Sequence, residues 1–185
     1  MRKLIMWNMV TLDGYFEGAQ RWDIDFHNTG WGDELQQFSN EQMSTADLLL
    51  FGRVTYEGMA QYWPTAKGAT AERMNSIQKV VFSRTLTSAD WANTRMVSTD
   101  AAEEVARLKQ EPGGDILVLG SADLCASLSR AGLIDEYRLG LNPIALGQGN
   151  PLFKAETGQM KMRLLEARPL KTGCVLLFYA PEPVT

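Results

Sequence analysis

Histidine, cysteine and long apolar runs are all scarce in this chain, and each scarcity excludes a class of protein. Its 185 residues include one histidine, His27, so a site built on several histidines or on a two-histidine zinc motif is excluded. The two cysteines, Cys125 and Cys174, lie far apart with no CxxC spacing. They read as reduced thiols and point to the cytoplasm rather than to a disulfide-stapled secreted fold. The longest apolar run, Cys174 to Ala180, is seven residues, against the ~20 a membrane helix needs. Leu4-Ile5-Met6-Trp7 stops at Asn8, too short for a signal peptide. Basic excess is also missing: 18 Lys+Arg face 22 Asp+Glu, a net charge of −4 with no Lys/Arg block. A nucleic-acid partner is therefore not expected.

What is present is the ordinary composition of a folded domain, 45% apolar and 22% charged. A chain of this size hides about 70% of its unfolded surface, enough for one core without metal. No repeat, low-complexity tract or linker interrupts it, so residues 1–185 are read as a single domain.

The order of elements is that of an α/β protein. Leu4-Ile5-Met6-Trp7 reads as a buried strand, and residues 8–30 as a long irregular stretch around Asp13-Gly14 and Gly18. Such length favours a functional loop. Asp33 to Thr45 reads as a helix with Leu35, Phe38, Gln42 and Met43 on one face. Leu48-Leu49-Leu50-Phe51, ended by Gly52, is a strand covered on both sides. A short helix then runs from near Thr55 to before Pro64. Lys79 to Phe82 is a strand, Arg95 to Val97 a weaker one, and Asp100 with Glu103 opens a helix whose inner face is Ala102, Val105 and Ala106. Ile116 to Leu119 is another two-sided strand, leading through Gly120-Ser121 into a helix striped by Leu124, Cys125, Leu128 and Ala131. Three strands close the chain: Tyr137 to Leu141, Met162 to Arg168 and Cys174 to Ala180. The last two flank a hairpin turn at Lys171-Thr172-Gly173. The pattern predicts a mainly parallel sheet with helices on both faces and antiparallel strands at its C-terminal end.

In such sheets ligands bind beyond the carboxyl ends of the strands, where helix N-termini offer free N–H groups. Three strand ends carry suitable residues: Gly52, Arg53 and Thr55; Ser83, Arg84 and Thr85; and Gly120, Ser121, Ala122, Asp123 and Leu124. Two guanidinium groups and several hydroxyls suit a dinucleotide, which needs anion contacts side by side. Alternatively, the glycines are tight turns, the hydroxyls helix caps and the arginines solvated charges. The glycines do not match the GxGxxG fingerprint.

Read together, several segments resemble a known family. They are Thr11-Leu12-Asp13-Gly14-Tyr15, Phe51-Gly52-Arg53-Val54-Thr55-Tyr56-Glu57, Val81-Phe82-Ser83-Arg84-Thr85, and Val118-Leu119-Gly120-Ser121 leading to Gly132-Leu133-Ile134-Asp135-Glu136. A closing block runs from Asn142-Pro143 through Gly147-Gln148-Gly149 to Phe153. In order and spacing the chain resembles the dihydrofolate reductase-like superfamily, and within it the branch related to the reductase domain of riboflavin biosynthesis. The resemblance implies a homodimeric reductase that uses NADPH. Gly52, Arg53 and Thr55 would meet the pyrophosphate and adenosine, and Ser83, Arg84 and Thr85 the adenine ribose and its 2′-phosphate. The turn from Gly120 to Leu124 would offer its N–H groups to the pyrophosphate. Val10 would meet the nicotinamide through its backbone, with Gly14 in the loop above it. Arg84 independently suits a phosphate dianion better than a bare hydroxyl.

For proton delivery the first candidate is Asp13, with Asp25 and Glu34 behind it; turn formation and solvated charge are the competing explanations. His27 reads as a surface residue, Trp7 as core, and Trp22 and Trp31 as flanking a pocket for a flat acceptor. Two functions stay open. One is a reductase passing a hydride to a small planar heterocycle, pterin- or pyrimidine-like, or to a carbonyl compound. The other is a non-catalytic NADP(H)-binding dimer acting as a sensor or partner-binding module. A flavin enzyme ranks below both, and no metal is expected.

Overall fold

The computed structural model describes residues 1–182. Its first strand, β1 (Leu4–Thr11), runs past the apolar stretch that the sequence marks and ends four residues later than expected. Asn8 does not break the strand because its side chain is satisfied inside, accepting a hydrogen bond from the Gly120 N–H at 2.8 Å. The stretch read as irregular holds β2 (Tyr15–Glu17) and a 3-10 helix, Asp25–Thr29. Then come α1 (Asp33–Thr45), β3 (Ala46–Gly52), α2 (Arg53–Tyr62), α3 (Ala69–Ser76), β4 (Gln78–Phe82) and β5 (Thr94–Val97). The chain continues with α4 (Ala101–Gln110), β6 (Asp115–Leu119), α5 (Ala122–Arg130), β7 (Glu136–Asn142) and β8 (Asn150–Pro151). A short 3-10 turn, Ala155–Thr157, precedes β9 (Met162–Pro169) and β10 (Val175–Pro181).

Eight strands form one sheet in the order β5-β4-β3-β6-β1-β7-β10-β9, and β2 pairs with β8 outside it. All neighbours from β5 to β7 are parallel; β10 runs antiparallel to both β7 and β9. The expected α/β architecture is what the chain adopts. Side chains alternate between the two faces of β1. Leu4, Met6 and Val10 pack with Val105 of α4 and Leu128 of α5. Ile5 packs with Met43 of α1, Tyr56 of α2 and Met74 of α3 on the other side. Leu35 and Phe38 carry α1 on toward Leu176 and Phe178 of β10.

Local differences from the sequence pattern have local causes. The second helix begins at Arg53 rather than near Thr55, directly after β3. The helix α3 buries only Ala71 and Met74, too short a stripe to show as periodicity. In α4 the inward residues are Val105, Leu108 and Lys109, while Ala102 and Ala106 are half-buried. Ala131 lies beyond the last residue of α5 and is exposed, so it is not part of that helix's stripe.

Lys79, at the start of β4, is the largest departure from an apolar core: it is 1% exposed. Its ammonium donates to the Ile77 carbonyl at 2.7 Å and the Ala92 carbonyl at 2.9 Å, and lies 4.5 Å from the centroid of the Trp91 ring. The lysine thereby fastens the loop after β4 to the strand. Replacing Lys79 by Met leaves these carbonyls without their donor, each costing ~1–3 kcal/mol when buried. Urea unfolding of the variant should show a loss of about 2–4 kcal/mol.

Candidate functional site at the strand ends

The parallel pairing lines up the ends of β6, β3 and β4 beside the middle of β1. Trp7 is level with Leu119, Leu50 with Val118, and Gly52 with Phe82. Asn8, Gly120, Gly52 and Ser83 therefore follow one another across the carboxyl edge of β1, β6, β3 and β4. Gly52 and Gly120 are glycines because the turns touch. A Cβ on Gly52 would collide with Ser121 Oγ, and one on Gly120 would lie 2.8 Å from Thr55 Oγ1. Gly120 also has φ +59°, a left-handed value that glycine tolerates freely. Thr55 Oγ1 and Ser121 Oγ are 3.2 Å apart and share a hydrogen bond. Beside this pair opens a cleft of about 360 Å³ lined by Gly52, Arg53, Val54, Phe82, Ser121, Asp123 and Leu124.

Two helices begin at this cleft. Neither α2 nor α5 has a side-chain cap hydrogen bond at its start, so the first-turn N–H groups of both are left for solvent or a ligand. Their partial positive charges favour an anion there. One expected donor is withdrawn: the Gly120 N–H points back to Asn8, which leaves Ser121, Ala122, Asp123 and Leu124 to supply the N–H groups. Arg53 bonds Glu57 one turn along α2 at 3.0 Å. Exposed pairs of this spacing contribute only ~0.3–0.5 kcal/mol, so a stronger anion readily takes the guanidinium. Ser83 Oγ accepts from the N–H groups of Thr85 and Leu86 at 3.1 and 2.9 Å, which keeps its own proton free to donate. Arg84 and Thr85 are exposed, and Arg84 has no ion-pair partner among the described residues. Asp123, the one acid on the cleft, is 3.5 Å from Lys154.

The loops above β1 are tied together by carboxylates. Asp13 accepts from the Thr11 hydroxyl at 2.6 Å and from the Gly147 and Leu146 N–H groups at 2.7 and 3.2 Å. The Thr11 hydroxyl, with these N–H groups behind it, holds the Asp13 carboxyl below its ordinary value. Asp13 thereby anchors this loop, and the same bonds favour its carboxylate form. Gly14, at φ +83°, accepts from the Leu152 N–H, and Glu17 takes the Trp22 N–H and Asn150 Nδ2. The Trp22 ring lies against α2 at Gly58, where a Cβ would strike it, and Trp31 is exposed.

On the other side of β1, the Val10 carbonyl accepts from Asn142 Nδ2 at 3.1 Å. Glu34 accepts from the Lys171 N–H at 2.7 Å, whereas Asp25 has no hydrogen-bond partner among the described residues. His27 is not a surface residue: its Nε2 is buried without a partner, and burial pushes the imidazole down to about 4. It is neutral at physiological pH. The sequence does not show the bonds that Asn8 and Asn142 make here. Asn8 had one signal, a polar residue in an apolar strand. Asn142 had none.

A profile of the RibD C-terminal domain matches residues 2–176. The uncharacterized protein YyaP of Bacillus subtilis is 32% identical over 96% of this chain and 94% of its own length. Among solved structures, a protein assigned to riboflavin biosynthesis from Shewanella superposes with a TM-score of 0.81 at 19% identity, covering 98% of this chain and 99% of that one. Dihydrofolate reductase from Enterococcus faecalis, complexed with NADP(H), gives 0.64 at 12% identity, covering 98% and 97%. The sheet order with its antiparallel end, the glycine-lined strand edge and the extent of these matches lead to one assignment: the chain belongs to the RibD C-terminal domain family, on a dihydrofolate reductase-like fold.

Proposed function

We propose that the chain is an NADPH-dependent reductase acting on a small planar heterocycle or carbonyl compound. The observation that carries the reading is the cleft where two uncapped helix N-termini meet beside Arg53, with Phe82 on its wall leading to the Arg84 turn. An anionic dinucleotide suits it, and the structural neighbour from Enterococcus faecalis was solved with NADP(H). The residues fit such a group: Gly52 and Gly120 leave room where a Cβ would collide with Ser121 or Thr55.

Arg53, Thr55 and the N–H groups of residues 121–124 would hold the pyrophosphate. Ser83, Arg84 and Thr85 would hold the adenine ribose and its 2′-phosphate. Val10 and Gly14 would face the nicotinamide through their backbone. Bound there, NADPH supplies the hydride; the protein orients it and excludes water. Asp13 contributes by fixing the loop over the strand end. Of the three carboxylates considered for proton delivery, Asp25 alone is free of backbone donors, and its 3-10 helix packs on β1 and β7. Cys125 and Cys174 are buried and unpaired, which fits a reducing compartment such as the cytoplasm.

Tryptophan fluorescence titrations test the cofactor. The wild type should bind NADPH more tightly than NADH. Arg84→Ala should weaken NADPH about 10- to 100-fold, the value of one charge-assisted contact, and leave NADH unchanged. Equal losses for both would remove Arg84 from the 2′-phosphate. In the same assay Gly52→Ala pushes Ser121 into the cleft and should weaken both nucleotides at least about tenfold. Oxidation of NADPH across pterins, pyrimidines, quinones and aldehydes then separates an enzyme from a binding module. Turnover with any of them supports the reductase; binding without turnover favours the module.

A further inference from the structure

A second cavity, of about 390 Å³, lies between the middle of α2 and the loop after β4, where Tyr56, Glu57, Ala60, Ser88, Asp90 and Trp91 line it. Its size falls within the roughly 300–1,000 Å³ of small-molecule sites. No residue lines both this cavity and the strand-end cleft. Tyr56 and Trp91 belong to the core layer under α1, α2 and α3, whereas Phe82 and Leu124 of the cleft pack with the layer under α4 and α5. Tyr56 and Trp91 are 3% and 4% exposed and make the cavity floor. Their rings lie 6.1 Å apart, and the Trp91 main-chain N–H donates to the Tyr56 hydroxyl at 3.1 Å, so the floor is fixed before any ligand arrives. Lys79, 4.5 Å from the Trp91 ring centroid, braces that ring without lining the cavity. The Tyr56 hydroxyl only accepts here: its own proton has no acceptor among the described residues, a costly state for a buried donor.

The rim is acidic and largely unanswered. Glu57 and Asp90 line the cavity, and no lysine or arginine does. Glu57 shares its charge with Arg53, one turn back along α2. Asp90 holds only the Ser88 hydroxyl, at 3.3 Å, and has no ion-pair partner among the described residues. We infer that this cavity binds a small aromatic amine. Its flat body lies against Tyr56 and Trp91, its ammonium faces Asp90 and Glu57, and an oxygen on its ring accepts the Tyr56 proton. Aromatic rings attract both apolar surface and positive charge. The two carboxylates select a cation and repel an anion such as a dinucleotide, so the ligands of the two sites do not compete.

Isothermal titration calorimetry with tyramine tests the inference, with tyrosol, in which a hydroxyl replaces the ammonium, as the control. Tyramine should bind at least about tenfold more tightly than tyrosol, the value of one charge-assisted contact. Asp90→Asn removes the unpaired charge at an exposed position and keeps an acceptor for Ser88. It should weaken tyramine about fivefold or more and leave tyrosol unchanged. Ala60→Leu puts a larger side chain into the cavity and should weaken both compounds. Circular dichroism of both variants should match the wild type. Equal affinity for tyramine and tyrosol, no heat with either at millimolar concentration, or tyramine binding untouched by Asp90→Asn would each overturn the inference. No nucleotide enters this titration, so its outcome is separate from that of the cofactor reading.

Discussion

The hydrogen bond from the Gly120 N–H to Asn8 Oδ1 fixes the place where β6 ends against the middle of β1. It is buried, so breaking it leaves two unsatisfied polar groups in the core. It also decides the direction of the turn. With its amide turned inward and a left-handed φ, Gly120 sends the chain over Thr55 and starts α5 facing the same space as α2. Gly52 can have no side chain because Ser121 arrives there. The cleft is thus a product of close backbone approach. Its arginines are additions at the rim.

The architecture was largely legible because parallel strands covered on both faces read as unbroken apolar runs. Leu48 to Phe51, Val80 to Phe82 and Ile116 to Leu119 each lie in a strand, and Leu35, Phe38, Gln42 and Met43 are the buried face of α1. Short elements escaped where pairing rather than periodicity makes them: β2 and β8 hold each other through three and two residues. Of the site, the local part was readable. Strand-glycine-helix turns announce themselves, and those at Gly52 and Gly120 do meet. The roles of Asp13, Asn8 and Asn142 were not, because each depends on a partner more than 100 residues away, at Gly147, Gly120 and Val10. A carboxylate beside a glycine looks the same in sequence whether it donates a proton or anchors a loop.

The loops over β1 are held mostly by side chains bonding to backbone. Asp13 anchors the loop before Gly149, Glu17 joins the Trp22 turn to Asn150, and Asn142 grips the Val10 carbonyl. Such ties shape a surface without an extended apolar core, so these loops can vary while the sheet stays constant.

The hairpin turn between β9 and β10 joins regions that the sheet otherwise separates. Its Thr172 hydroxyl donates to the Gly30 carbonyl at 2.9 Å and its Lys171 N–H to Glu34, which pins the entrance of α1. Among the described residues, the cleft at β3, β4 and β6 has no such tie to the hairpin. The two halves of the edge are therefore independently adjustable. Substitutions in a three-residue turn can reshape the surface beside α1, while the cleft lined by Gly52, Arg53 and Ser121, built by other strands, keeps its form.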